Sequence, residues 1–357
     1  MSVIIAIIFA ILIFSLLIFV HELGHFLAAK ASGVQVNEFS MFMGPAIWKK
    51  QKGDTLYSIR CIPIGGYCAM EGEDTDTDNP RSFQKAAWWK RLIILIAGSA
   101  MNFLIGLVFM IIVTLPAQQM ILPVIDSFAA YSTISGENGL QVGDRILEVD
   151  GEKIYVQSDF STILALNPGD VHDLVVLRNG EKVVLNDFLM ERHEVTDPDG
   201  SKSMLFGMNF TLADADFGMK LQHGWYQTVD TIRMVRLSLQ MLFSGQVSAS
   251  EVGGPVMIVD QMTQVATASD TLGVAVLNML YFGGFIAINL AVMNLLPIPA
   301  LDGGRALGLL LTTAAEKITG KKIDPKYEGY LHGIGMILLL ALMAVILFKD
   351  VFTIFTR

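Results

Sequence analysis

The stretch VIIAIIFAILIFSLLIFVHELGH (residues 3–25) has one polar interruption, Ser15, before it reaches two histidines and a glutamate. An apolar run of about 20 residues is what a helix needs to cross the hydrocarbon core of a bilayer. A cleaved signal peptide is the alternative, but the run lacks a basic start and a small-residue cleavage site. The stretch therefore predicts a membrane-spanning helix with ionisable side chains near its end.

The composition of the whole chain agrees with a membrane protein. Hydrophobic residues make up 53% of it and charged residues 17%, outside the usual range of soluble domains. Four runs are predicted to span, namely residues 3–30, 92–115, 273–296 and 332–349. Residues 222–243 have apolar side chains at helical spacing, interrupted by Asp230, Arg233 and Arg236. They predict an amphipathic surface helix, with a fifth span as the alternative.

The charges are distributed unevenly along the chain, whose formal net charge is −9. Lysine and arginine cluster after the first span and again near the C-terminus, whereas residues 116–270 are dominated by aspartate and glutamate. The positive-inside rule therefore places the basic stretches in the cytoplasm, and the acidic region and both termini outside. The two cysteines, Cys61 and Cys68, fall on the cytoplasmic side and are predicted to be reduced thiols.

Two regions between the spans have strand patterns. Residues 36–72 contain short alternations broken by glycine turns, which predict a small sheet close to the membrane, with a plain loop as the alternative. Residues 117–210 contain β-type runs and a hairpin signal at Arg178-Asn179-Gly180, which predict a soluble domain.

The chemistry of the first span lies in His21, Glu22 and His25. Two histidines four residues apart lie on one face of a helix, within reach of a single ion. A glutamate beside them can take a proton from an attacking water without binding the metal. A cluster of satisfied buried polar groups is the alternative, but each ionisable group costs about 2.5–3.5 kcal/mol in the membrane. A divalent cation would offset that cost for all three.

Zinc in a catalytic site takes three protein ligands and keeps the fourth position open. Asp302 is the only carboxylate between Asp270 and Glu316. It follows Pro297 and Pro299, which interrupt the third span and leave irregular backbone at membrane depth. The predicted topology brings this break to the same side as the end of the first span, so Asp302 is predicted to be the third ligand.

These motifs, in this order, resemble the site-2 protease family of intramembrane zinc metalloproteases, in its bacterial RseP type with a single PDZ domain. The resemblance rests on five stretches: HELGH, PIGGYCAMEGE, AGSAMN, GLQVGDRILEVDGEKI and NLLPIPALDGG. Two positions depart from the family pattern, since Ser99 stands where a proline is common and Arg305 where a histidine is frequent. A base that reaches the lipid headgroups is the alternative role of Arg305.

The resemblance implies a role for each matching residue. His21, His25 and Asp302 are implied as ligands of Zn²⁺, and Glu22 as the catalytic base. The residues implied in substrate binding are Asn294, Pro297, Asn102, Ile64, Gly65 and Gly66. The last three lie on a membrane-associated strand that is expected to pair with an extended substrate.

The predicted fold is a polytopic α-helical membrane protein with four transmembrane helices, a juxtamembrane β-hairpin and one extracytoplasmic PDZ-like α+β domain. Its predicted regions are 1–35 (first transmembrane helix), 36–82 (hairpin and linker), 83–116 (second transmembrane helix), 117–210 (PDZ-like domain), 211–272 (amphipathic helix and connection), 273–310 (third transmembrane helix with LDGG) and 311–357 (cytoplasmic loop and fourth transmembrane helix).

The resemblance implies an endopeptidase of regulated intramembrane proteolysis in the bacterial cytoplasmic (inner) membrane. Its expected partners are the lipid bilayer and pre-trimmed single-span membrane proteins, such as anti-sigma factors or remnant signal peptides, and no nucleic acid. The PDZ-like domain would bind a peptide or substrate ectodomain, or act as a size filter. A zinc-binding adaptor would not need Glu22, and a zinc transporter would need polar residues along more of the second and fourth spans.

Overall fold

The computed structural model describes residues 2–73, 77–167, 169–196, 202–245, 254–320 and 326–356. Its helices are α1 (Val3–Ser32), α2 (Trp88–Thr114), α3 (Gln157–Leu166), α4 (Phe217–Phe243), α5 (Pro255–Ala268), α6 (Leu272–Asn294), α7 (Asp302–Thr319) and α8 (Lys326–Thr356). Its strands are β1 (Val36–Lys52), β2 (Thr55–Met70), β3 (Gln119–Phe128), β4 (Arg145–Val149), β5 (Glu152–Lys153), β6 (Val171–Arg178), β7 (Glu181–Leu189), β8 (His193–Thr196), β9 (Lys202–Leu205) and β10 (Met208–Asp214).

Four helices among the described residues are long and apolar enough to cross a membrane. They are α1, α2, α6 and residues 329–350 of α8, so the four predicted spans are confirmed as helices. The amphipathic α4 is 27 residues long but is not among these four helices. The chain is therefore a membrane protein with additional sheet structure.

The membrane helices expose many large apolar side chains. On α1, Ala6 and Ala10 are fully buried, whereas Ile4 is 71% exposed and Leu12 is 60% exposed. The buried face packs in one apolar cluster with residues of α2, α5 and α6. Large apolar side chains on the outside would be unfavourable in water but suit contact with lipid tails.

The third predicted transmembrane region consists of two helices. α6 ends at Asn294 and α7 begins at Asp302, and the irregular residues between them include Pro297 and Pro299. Proline cannot donate the backbone hydrogen bond that would continue α6, which explains the break. α5 was not predicted, since its residues fell within the predicted connection at 211–272.

β1 and β2 form a hairpin that curls back on itself, so that two segments of β2 pair with the same part of β1. Residues 38–41 of β1 pair with residues 66–69 of β2 on one side and with residues 56–59 on the other. The strands predicted in residues 36–72 are thereby confirmed. Within the described residues no strand pairs with the far side of residues 66–70, which we call the outer strand.

An aromatic cluster fixes the hairpin to the end of α1. The ring of Phe39 lies 4.9 Å from that of Phe26 and 5.8 Å from that of Phe19, measured between centroids. The hairpin is internally braced by Arg60, which donates to Glu38 at 2.8 Å. Burial alone would raise the pKa of Glu38, but hydrogen bonds from Ser58, Arg60 and Tyr67 lower it, so this carboxylate stays charged.

The described chain divides into two compact units. One comprises Met1–Val113 and Thr231–Arg357, and the other, which we call the sheet unit, comprises Thr114–Asp230. The sheet unit has strand order β10-β3-β4-β6-β7 around a buried apolar core. The predicted hairpin at Asn179-Gly180 is confirmed, because both residues have positive φ and Arg178 pairs with Glu181.

Candidate metal centre

Three donor atoms converge where α1 meets the start of α7. Nε2 of His21 and Nε2 of His25 are 3.2 Å apart, and each lies 3.3 Å from Oδ2 of Asp302. These residues are the one group of three metal-ligating side chains found among the described residues. The structure therefore brings together the two histidines and the aspartate that the sequence predicted to share an ion.

The spacing of these atoms suits zinc. Bonds of about 2.0–2.1 Å at tetrahedral angles place neighbouring donor atoms roughly 3.3 Å apart. Oδ2 of Asp302 is inaccessible to solvent and has no hydrogen-bond partner among the described residues, since its contacts with the histidines fall short of hydrogen-bond geometry. A buried carboxylate oxygen facing two imidazole nitrogens is stabilised by a cation between them. The three residues fit Zn²⁺ with a fourth position left open.

α2 determines the orientation of His25. Nδ1 of His25 lies 2.8 Å from the carbonyl oxygen of Ile94 and donates its proton there. The neutral ring then has its lone pair on Nε2, which is the atom that faces Asp302. The backbone of α2 thus holds His25 in the tautomer that can bind a metal through Nε2.

Two glycines allow α1 and α2 to approach at this point. A side chain on Gly24 would collide with the carbonyl of Ala97, and a side chain on Gly98 would collide with the rings of both histidines. For Gly98, the added Cβ would lie 2.7 Å from Cε1 of His21 and 2.8 Å from Cδ2 of His25. The sequence contained AGSAMN as a motif but gave no sign that Gly98 would border the ligands.

The irregular segment between α6 and α7 positions Asp302, and residues of α8 contact this segment. Ala300 has a φ of 82°, and its N–H donates to Nδ1 of His332 at 3.1 Å. Gly335, one turn further along α8, packs against Pro299. Sequence reasoning missed His332, although an isolated histidine in the last span was a signal that could have been followed.

Glu22 lies between the metal ligands and the outer strand. A Cβ on Gly66 would lie 3.2 Å from Cγ of Glu22, and the backbone N–H of Cys68 donates towards the Glu22 carboxylate. The carboxylate faces a cavity of about 970 Å³ that His21, His25 and Asp302 also line. The carboxylate of Glu22, the three candidate ligands and a strand edge are therefore adjacent.

Cys68 lines the same cavity but is a poor candidate for a fourth ligand. Burial, together with the nearby carboxylates of Glu22 and Glu73, raises the pKa of its thiol well above the usual range. Its Sγ is also not part of the group of donor atoms of His21, His25 and Asp302 that lie within 4.8 Å of one another.

The remaining predicted site residues lie at varied distances from this cavity. Gly65 and Gly66 are in the hairpin, and the side chain of Ile64 lies outside the described residues. Asn294 is half-buried at the end of α6, and Pro297 is exposed in the break. Asn102 is buried beside His21. Arg305 lines the cavity and pairs with Glu73.

Comparison with known proteins agrees with this geometry. The pattern of peptidase family M50 matches residues 9–342. A Clostridium acetobutylicum protein assigned by name to the zinc metalloproteases is 36% identical, over 97% of each chain. Zinc metalloprotease RasP of Oceanobacillus iheyensis is 28% identical over 96% of this chain and 97% of its own. Regulator of sigma-W protease RasP of Bacillus subtilis is 27% identical over the corresponding 96% and 97%. The chain therefore belongs to peptidase family M50, the site-2 proteases, and is a zinc metalloprotease.

Proposed function

We propose that this metalloprotease cuts transmembrane segments of single-span membrane proteins. The observation that supports the proposal most directly is the position of Glu22 and both histidines on a helix long and apolar enough to span a bilayer. A site built into such a helix is accessible to peptide bonds at membrane depth. The name of the Bacillus subtilis relative, a regulator of sigma-W, supports a regulatory use of this cleavage with an anti-sigma factor as substrate.

The chemistry follows from the residues that line the cavity. Zinc bound by His21, His25 and Asp302 would supply Lewis acidity towards a water and a scissile carbonyl. Glu22 takes a proton from the attacking water and returns it to the leaving amine. Its carboxylate is held beside the outer strand, close to both reacting groups, which reduces the entropy lost in bringing them together.

A helical substrate must open before its carbonyl can be attacked, and we propose that the outer strand supports the opened form. Residues 66–70 have one side that pairs with no strand among the described residues, and this side borders Glu22. An extended peptide that adds to such an edge replaces its lost helical hydrogen bonds with interstrand ones. This extends the predicted pairing at Ile64, Gly65 and Gly66 towards Met70.

We further propose the topology that the charges predict. The basic residues Lys30, Lys90 and Arg91 lie at the ends of α1 and α2 that face the hairpin, and Lys317 lies in the last turn of α7. The positive-inside rule assigns this side to the cytoplasm, in a bacterial inner membrane. The active site then opens towards the cytoplasm, and both termini and the sheet unit are extracytoplasmic.

For the sheet unit we propose a PDZ-like role in binding extended peptides. A groove of about 460 Å³ runs between α3 and the edge strand β10, lined by Phe160, Phe206 and Phe210. Arg192 lies over the ring of Phe206, 5.0 Å from its centroid, and supplies a positive charge in the groove. Deleting residues 117–210 distinguishes this role from that of a size filter. If the unit is a filter, the deletion variant should cleave untrimmed substrates. If the unit binds peptides, the deletion variant should bind its substrate more weakly.

The metal requirement of the proposed reaction can be measured directly. Purified full-length protein is expected to hold about one zinc per chain and to cleave a model transmembrane peptide in a chelator-sensitive manner. Asp302→Ala removes one of three ligands and is expected to lose both zinc and cleavage. Asp260→Ala, which removes an aspartate of α5 outside the site, should retain both. Cleavage that persists in metal-free protein would contradict the proposal.

Strand pairing of the substrate can be tested by disulfide trapping. In Glu22→Gln protein lacking its native cysteines, Ala69→Cys places a thiol on the outer strand. Cysteines introduced along the substrate should cross-link at every second position, because side chains of a paired strand alternate between faces. Lys50→Cys, on the opposite edge of the hairpin, should give no cross-links. A period of three to four residues, or no cross-links from residue 69, would contradict pairing.

A further inference from the structure

The buried amide of Asn102 lies beside His21, and Asn102 is not among the residues that line the cavity. Asn102 is 1% exposed, and its Nδ2 lies 3.3 Å from Nδ1 of His21. Its Oδ1 is inaccessible to solvent and has no hydrogen-bond partner among the described residues. A buried amide oxygen without a donor is unfavourable, and this one adjoins a titratable ring.

The tautomer of His21 determines which atom of the Asn102 amide should face the ring. A neutral imidazole has one proton, and Nε2 of His21 faces Asp302 and the other histidine. For Nε2 to offer a lone pair to a metal, the proton must be on Nδ1. Nδ1 then becomes a hydrogen-bond donor, and the group beside it should be an oxygen acceptor.

Asn102 can supply that oxygen by turning its amide. A half-turn about χ2 exchanges Oδ1 and Nδ2 within almost the same volume. Oδ1 then accepts the proton of His21 Nδ1, which satisfies the buried oxygen and fixes the ring at once. We propose that Asn102 is a positioning residue that selects the metal-binding tautomer of His21 and does not contact substrate.

The arrangement of the two histidines supports this role. α2 places a polar group beside Nδ1 of each of them, the carbonyl oxygen of Ile94 beside His25 and the side-chain amide of Asn102 beside His21. These residues are eight apart, about two turns of helix, and therefore lie on the same face of α2. Ligand histidines commonly donate their second N–H to such an oxygen, and losing it lowers metal affinity by about 10–100-fold.

The inference rests on the zinc site and not on the proposed intramembrane cleavage, and its test uses zinc affinity. Asn102→Leu keeps the size of the side chain but removes the acceptor, so competition with a chelator should show zinc binding weakened by about 10–100-fold. Asn102→Asp retains an acceptor oxygen and should bind zinc at least as tightly as the native protein. The absorption bands of Co²⁺-loaded protein should change in Asn102→Leu and be restored in Asn102→Asp.

Two controls separate positioning from a general effect on the fold. Asn278→Leu removes a different amide from a membrane helix, one that donates to Ser269, and should leave zinc affinity unchanged. The metal-free Asn102→Leu protein should unfold at the same temperature as the metal-free native protein. If Asn102→Leu keeps native zinc affinity and its Co²⁺ spectrum while KM for the peptide rises, Asn102 binds substrate and the inference is wrong. If Asn102→Asp binds zinc as weakly as Asn102→Leu, the acceptor role is also wrong.

Discussion

Changing Glu22 to glutamine is expected to abolish peptide hydrolysis while leaving zinc bound. The two side chains have nearly the same shape, but the amide cannot take a proton from water at neutral pH. General base catalysis contributes about 10²–10⁴-fold to a rate, so cleavage should fall by at least the lower of these factors. The proposed zinc ligands are His21, His25 and Asp302, none of which the substitution changes, so metal content should remain at about one ion per chain.

Glu71→Gln is the matched control for this variant. Glu71 lines the same cavity but accepts a hydrogen bond from Asn37 at 2.7 Å, on the hairpin side. The control should cleave within a few-fold of the native rate. Undiminished cleavage by Glu22→Gln would remove Glu22 as the base, whereas loss of zinc from that variant would show that Glu22 supports the metal.

Adding a single methyl group at Gly98 is expected to destroy the metal site. The Cβ of an alanine would overlap the rings of both His21 and His25, at a point where Gly24 and the carbonyl of Ala97 already bring α1 and α2 into close contact. Overpacking of this kind costs about 1–3 kcal/mol, and here the strain falls on the ligands themselves. Zinc affinity of Gly98→Ala should therefore fall by about tenfold or more, with a parallel loss of cleavage.

Gly273→Ala is the matched control, because it adds the same methyl group at the start of α6 where the nearest atom is 3.9 Å away. It should bind zinc and cleave the peptide as the native protein does. Circular dichroism of Gly98→Ala in detergent should still show the native helix content. Native zinc affinity in Gly98→Ala would contradict the close approach of α2 to the histidines.

The three side chains that converge in the candidate metal centre could be predicted from sequence because each has a local signal. His21 and His25 are one helical turn apart, and Asp302 is an isolated carboxylate beside a proline break. The membrane-spanning helices could also be predicted, since such a helix forms all its backbone hydrogen bonds internally and is apolar along its whole length. The hairpin at Asn179-Gly180 followed from its turn residues.

The supporting roles had no such signal, and the sequence implied Asn102 only in substrate binding. The roles of Gly98 and Asn102 depend on how α2 packs beside α1, and that of His332 on how α8 meets the break. Packing of this kind joins residues far apart in the chain and leaves no period in the sequence. α5 was not predicted because its 14 residues are too few to span a membrane.

The contact between Glu22 and the outer strand bears on which membrane proteins can be cut. Main-chain pairing recognises no particular side chain, so it constrains the substrate's shape more than its sequence. A helix that keeps its hydrogen bonds offers no free carbonyl to the strand. One that contains glycine or proline opens more easily, since these residues cost about 1 and about 3 kcal/mol in a helix. If the substrate pairs with the outer strand as proposed, the enzyme discriminates among membrane segments by how easily their helices unfold locally.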